Sequence, residues 1–305
     1  MNTASSERLV FFGTDTFSAP SLEALLEAGC QVVGVVTKPD ARVGRGRELT
    51  SPLVKQIAMR HHLPVFQPAK LSTIRDDLAA LNAAAGVVVA YGRIIPESIL
   101  ELFPKGLINV HASLLPAYRG ASPIEAAILN GDEQTGVTLM KIAARMDAGG
   151  IYARGTWPLD GRETKPRLYE SLSRFGAQQL VTHLHAILEG RLKAKPQNER
   201  QATYVSLIQK SDGLIDWTKP AATLEREIRA YLGWPGSRAE VCDREVIITA
   251  ARVCRGMSQA EPGEVICSSG QELIVMTGQD ALAIDRLKPA GKREMSAAEF
   301  IAGLH

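Results

Sequence analysis

Several large protein classes leave marks that this 305-residue sequence lacks. It has four cysteines, and aromatic residues make up 5% of it. Cys30, Cys242, Cys254 and Cys267 form no CxxC pair and have no clustered histidines beside them. A metal site or a redox pair is therefore not expected, and reduced, mostly buried thiols are. No apolar run approaches the roughly 20 residues that cross a bilayer, so no membrane association is expected. The polar start, Met1 to Arg8, is unlike a signal peptide, and a cytoplasmic protein follows as the default. Charge of one sign is also missing, since the net charge is +2. Any RNA contact must then come from local basic patches. The first strand-helix junction, Phe12-Gly13-Thr14-Asp15-Thr16-Phe17, has one glycine where a dinucleotide loop needs three. Gly44-Arg45-Gly46 sits in a loop and opens no helix, so a nicotinamide oxidoreductase is disfavoured.

The composition is globular, 45% hydrophobic and 22% charged. Strand-like apolar runs recur at Leu9–Phe12, Val32–Val36, Gly86–Ala90, Leu107–Val110 and Gly136–Met140. Helical stretches separate several of them, at Ser21–Ala28, about Ser51–Arg60 and Lys165 to about Leu188. Runs without alternation argue for a mostly parallel sheet covered on both faces, an α/β Rossmann-like domain. Lys38 to Thr50 reads as a loop. Residues 190–205 are polar, basic and interrupted by Pro196, which reads as a linker. Beyond it come a helix at about Ala221–Ala230 and short strands at Val246–Thr249, Gly263–Cys267, Leu273–Met276 and Ala281–Leu287. These suggest a small antiparallel barrel or sandwich, of which a small β-barrel of OB-like type is the expected form. The expected organisation is thus 1–189, a linker over 190–205, and 206–305.

Asn109 and His111 lie two apart at the end of a strand, so both project from one face. Open α/β sheets bind ligands beyond such strand ends. Leu114-Leu115-Pro116 then turns the chain, and Asp147 closes the segment after the next strand. A carboxamide donor, an imidazole and a carboxylate suit acyl transfer to an amine. The donors would meet the oxyanion, and the carboxylate would organise proton movement. No GxSxG elbow or Cys-His pair supports a covalent intermediate. On the residues alone, Asn-x-His is more often a hydrogen-bonded loop anchor, and Asp147 more often a turn residue.

The run Asn109-Val110-His111-Ala112-Ser113-Leu114-Leu115-Pro116-Ala117-Tyr118-Arg119-Gly120-Ala121-Ser122-Pro123-Ile124 resembles the signature of the 10-formyltetrahydrofolate-dependent formyltransferases. The resemblance covers about residues 8–303. It implies Asn109, His111 and Asp147 as the catalytic trio and 10-formyltetrahydrofolate as formyl donor. It also implies that the folate is held by Ser113, Leu114, Leu115 and Pro116 and by the Val89-Ala90-Tyr91-Gly92 loop. Ala112, Ser122 and Gly150 depart from the common pattern of glycine, alanine, and aspartate or proline.

Members of this family formylate methionyl-tRNA, glycinamide ribonucleotide or sugar nucleotides. Three features favour initiator methionyl-tRNA here. The loop Thr37–Arg47 resembles the basic loop that members acting on tRNA set against the acceptor stem, which implies RNA contacts by Arg42, Arg45 and Arg47. Its plain alternative is a solvated surface loop. The second domain, through Ile215-Asp216-Trp217, Arg229–Pro235 and Lys288–Met295, also resembles theirs. Finally Arg191, Lys193 and Lys195 could follow an RNA backbone. Sugar formyltransferases with an extra domain are the nearest rival, and a monomer is expected.

Overall fold

Apolar runs that do not alternate build a sheet buried on both faces. Strands β1 (Arg8–Gly13), β2 (Gln31–Val36), β3 (Val65–Phe66), β4 (Ala85–Val89), β5 (Leu107–His111), β6 (Gln134–Lys141) and β7 (Ile151–Pro158) form it. Their order is β7-β6-β5-β4-β1-β2-β3. In this computed structural model, which describes residues 7–43, 48–256, 260–267 and 272–304, β1, β2, β3, β4 and β5 are parallel. β6 runs antiparallel to β5. The chain steps outward from β1 to β3 and returns to β4 on the other side of β1. That reversal opens a crevice at the carboxyl ends of the central strands.

The core on one face of the sheet gathers Val10, Phe12, Val36, Val88, Tyr91 and Phe103. Phe12 meets Tyr91 and Phe103 edge-on, with ring centroids 5.8 and 5.9 Å apart. Helices Ala19–Glu27, Leu53–Arg60, Arg75–Ala80 and Lys165–Leu188 match or add to the expected ones. No helix among the described residues is long and apolar enough to cross a membrane.

Two local expectations differ from what forms. Within the segment read as a loop, Ala41–Val43 pairs antiparallel with Glu48–Thr50. β7 was not anticipated, because Gly149, Gly150 and Gly155 give its surroundings the texture of a turn. Glycine has another function there. A Cβ on Gly136 in β6 would stand 2.1 Å from the Gly155 carbonyl oxygen, so the two strands approach more closely than a side chain allows.

By contacts within the chain, the first unit comprises Met1–Gly120, Thr135–Trp157 and Tyr169–Tyr204. The second comprises Ala121–Gln134, Pro158–Leu168 and Val205–His305. The second unit holds an antiparallel sheet, in keeping with the small β-barrel expected there. Its strands are β8 (Ser237–Val241), β9 (Arg244–Cys254), β10 (Val265–Cys267), β11 (Leu273–Met276) and β12 (Ala281–Pro289), in the order β8-β9-β12-β11-β10, and the short strand Met295–Ser296 pairs with β12. Register shifts between Ile248 and Ala251 bend β9, which curls the sheet. Helix Ala221–Ala230 places Leu224 and Ile228 against Val246, Ile248, Leu282 and Leu287. Ser296 and Glu299 form a capping box that starts helix Ala297–Ala302.

Gly136→Ala should destabilise the protein by about 1–3 kcal/mol through overpacking. Urea denaturation measures this, and an unchanged midpoint would contradict the close strand approach.

Candidate active site

β5 delivers Asn109 and His111 to the crevice. Asn109 aligns with Val88 of β4 and with Met140 of β6, and it is half-buried. Among the described residues, no hydrogen bond engages its carboxamide. The amide hydrogens therefore remain for a bound group.

His111 is 6% exposed, and its Nε2 lies 2.9 Å from the Tyr118 carbonyl oxygen. A carbonyl only accepts, so Nε2 carries a hydrogen and donates it; this tautomer follows from the network. In the neutral ring Nδ1 is therefore the nitrogen without a hydrogen. Facing Nδ1 at 3.7 Å is Oδ2 of Asp147. That is too long for a hydrogen bond and short enough for a charge on the ring to be stabilised.

Asp147 has φ of 48°, in the left-handed region that side chains seldom adopt. Three contacts hold it there. Its Oδ2 accepts from the Gly120 N–H at 2.9 Å. Its carbonyl oxygen accepts from Gln197 Nε2 at 2.7 Å, and the same nitrogen donates to the Gly149 carbonyl at 2.7 Å. Gly149 is required at this turn, since a Cβ would fall 1.7 Å from the Lys141 oxygen.

The chain between β5 and Tyr118 is anchored by β6. Thr138, opposite His111 in the register, donates its hydroxyl to the Ser113 carbonyl at 2.6 Å. It accepts from the Leu115 N–H at 3.1 Å. Ser113 Oγ donates to the Ala117 carbonyl at 2.6 Å. Thus Ser113 and Leu115 are buried within the turn, while Leu114 and Pro116 are half-buried.

At the neighbouring strand end, Val89 and Tyr91 are buried, and Ala90 and Gly92 are exposed with φ of 43° and 66°. Thr14 Oγ1 donates to the Tyr91 carbonyl at 3.3 Å. The Lys38 ammonium lies beside Gly92, where a Cβ would stand 2.7 Å from it. The two candidate folate segments therefore follow adjacent strands.

Of the candidate RNA residues, Arg42 is exposed on Ala41–Val43, and Arg45 and Arg47 lie outside the described residues. Asp40 fixes the base of this segment, pairing with Lys55 at 2.7 Å, Gln67 at 2.7 Å and Ser51 at 2.9 Å. The Gln67 hydrogen bond, then those from Lys55, hold its carboxyl down at about 2. Arg191, Lys193 and Lys195 are exposed, with Arg191 paired to Glu189. Lys193 lines a groove of about 810 Å³ with Lys141, Tyr152 and Gln197. Reading the sequence did not assign Thr138 or Gln197 to the site. A polar residue at the one position of β6 facing His111 was the available signal for Thr138, whereas none marked Gln197.

The site and the α/β sheet together define a class. The formyl transferase family model matches residues 7–184, and the model of the formyl transferase C-terminal domain matches residues 207–305. The chain belongs to the formyl transferase family. It is 44% identical over 297 residues to a methionyl-tRNA formyltransferase of Halorhodospira halophila, covering 97% of this chain and 96% of that one. A methionyl-tRNA formyltransferase of Chloroflexus aurantiacus is 42% identical over 301 residues, 98% of this chain and 97% of that one. Among solved structures, an N-formyltransferase from Helicobacter canadensis, complexed with folinic acid and dTDP-3-aminofucose, is similar in fold. It has a TM-score of 0.70 at 20% identity, covering 92% of this chain and 98% of that one. HypX from Aquifex aeolicus with tetrahydrofolic acid gives a TM-score of 0.67 at 18% identity over 98% of this chain, which spans about half the length of HypX (48%).

Thr138→Val would leave the Ser113 carbonyl and the Leu115 N–H without their partner. Such a loss costs about 1–3 kcal/mol for each unsatisfied group, so the denaturation midpoint should fall; an unchanged midpoint would contradict the anchoring contact. Asp40→Asn should be less stable than the parent near neutral pH. A depressed carboxyl stabilises the fold above its unfolded value of 3.8 and loses that contribution as pH falls towards about 2. The gap in stability should therefore close across that window; a gap that persists at pH 2 would refute its origin in the ionised carboxylate and its contacts.

Proposed function

We propose that the chain transfers the formyl group of 10-formyltetrahydrofolate to the α-amino group of initiator methionyl-tRNA, for translation initiation. The observation that carries this reading is the similarity to methionyl-tRNA formyltransferases along nearly the full length, including the second domain. Asn109, His111 and Asp147 are the proposed catalytic groups. The acceptor nitrogen forms a bond to the formyl carbon, and the bond from that carbon to the folate nitrogen breaks. One proton leaves the acceptor nitrogen and one reaches the departing nitrogen.

An α-amino group with a pKa of about 8 is already partly neutral at pH 7, so no strong base is needed. Asn109 donates from its unengaged carboxamide to the formyl oxygen as charge grows there. His111 exchanges its proton at Nδ1, and the Asp147 carboxylate steadies the ring when it is charged. Tyr118 holds the imidazole in place meanwhile.

The backbone near Ala90 and Gly92, turned outward at a strand end, suits a flat heterocycle with both donors and acceptors. Half-buried Leu114 and Pro116 offer it an apolar edge. These features, with Ser113 and Leu115 shaping the turn, support the reading of the folate site. Arg42, Arg45, Arg47, Arg191, Lys193 and Lys195 are the proposed RNA contacts.

Asn109→Ala should lower turnover roughly 10²–10³-fold if the carboxamide meets the oxyanion. A loss under about threefold, with folding intact, would remove that role. The acceptor is tested by labelled formyl transfer to methionyl-tRNA and to amino-sugar nucleotides, side by side. Transfer to the sugar alone would overturn the assignment.

A further inference from the structure

Arg119 is completely buried, which is costly for a guanidinium unless every donor is paired. Here all five N–H groups are engaged. Nε and Nη2 donate to Gln197 Oε1 at 3.1 and 2.8 Å. Nη1 and Nη2 donate to the two oxygens of Glu199 at 3.1 and 2.8 Å. Nη1 also donates to the Tyr204 hydroxyl at 2.9 Å, and the Tyr204 ring lies 5.6 Å from the guanidinium carbon. The Glu199 hydrogen bonds raise the Arg119 pKa further and hold the Glu199 carboxyl below its ordinary range.

This network fixes which way the Gln197 amide points. Arg119 can only donate, so Gln197 must present its oxygen to it and its nitrogen to the other side. On that other side are two groups that can only accept, the carbonyls of Asp147 and Gly149. The two amide hydrogens clip the turn that carries Asp147 in its left-handed conformation. An apolar side chain or a reversed amide at 197 could not do this.

We propose that Gln197, oriented by Arg119, is a positioning residue for the formyl-transfer reaction. It acts by holding the Asp147 carboxylate at His111 Nδ1. The inference rests on the reading of Asp147 as part of the reaction centre. Second-layer groups of this kind typically contribute 10–100-fold to activity in metal sites, where they orient the reacting ligands in the same way.

The test compares Gln197→Met, Gln197→Glu, Asp147→Asn and the double variant Gln197→Met/Asp147→Asn, with turnover and KM for the formyl donor measured for each. Gln197→Met keeps the volume and removes the hydrogen bonds. It should lower kcat about 10–100-fold and change KM less than threefold. Gln197→Glu keeps the acceptor for Arg119 but offers no donor to the two carbonyls, so it should lose activity to a similar degree. It decides the matter if the methionine variant fails to fold. In the Asp147→Asn background, Gln197→Met should cost less than threefold more, because its only route is already closed. A full additive loss, or a raised KM with unchanged kcat, would overturn the positioning role. Unchanged activity of Asp147→Asn would instead overturn the reading of Asp147. An impaired Asp147→Asn beside a fully active Gln197→Met would overturn only the inference about Gln197.

Discussion

His111 and Asp147 are distant in sequence, and three consecutive backbone units bring them to one place. The Tyr118 carbonyl accepts from His111 Nε2, and the Gly120 N–H donates to Asp147 Oδ2. Between them, the Arg119 side chain runs into the protein and sets the amide that clips the Asp147 turn. The rest of the candidate site depends on this tripeptide. If it shifted, the imidazole would lose its tautomer, the carboxylate its anchor and the buried guanidinium its geometry. Thr203 ties the tripeptide down in turn, since its hydroxyl accepts from the Tyr118 N–H at 2.8 Å and its carbonyl accepts from the Arg119 N–H at 2.9 Å.

A buried charge is a demanding way to build such a joint. Taking away the partner of a buried guanidinium is costly, because its charge is then left uncompensated. The arrangement is correspondingly intolerant of small displacements. Arg119 shares one face of its guanidinium with Glu199, which is half exposed and also pairs with Arg145 at 3.2 Å. Specific orientation, and not bulk stability, is what the pairing offers. A planar fork with five donors can define the direction of a glutamine amide where a lysine could not.

Much of this was legible in the sequence, for definite physical reasons. Strand periodicity put Asn109 and His111 on one face, and unalternating runs announced a sheet covered on both sides. The signature through Ile124 contained Tyr118, Arg119 and Gly120, although nothing in it told what the three backbone and side-chain groups touch. Gln197 was illegible because it lies in a polar stretch, residues 190–205, whose composition reads as a linker. Its importance comes from two carbonyls that only the folded turn brings together. Thr138 showed only as a polar position in a largely apolar strand, and β7 was hidden by glycines that serve close packing. The loop carrying Arg42 showed its charge in the sequence but not its pairing between Ala41–Val43 and Glu48–Thr50, and the placement of Arg45 and Arg47 lies outside the described residues.

The central claim is that the backbone fixes the hydrogen of His111 on Nε2, so that proton exchange takes place at Nδ1 facing Asp147. Nitrogen NMR of the labelled histidine ring reads this directly, since protonated and unprotonated ring nitrogens resonate in separate ranges. The account predicts that the neutral ring carries its hydrogen on Nε2, with Nδ1 bare. A neutral ring carrying its hydrogen on Nδ1, with Nε2 bare, would contradict it.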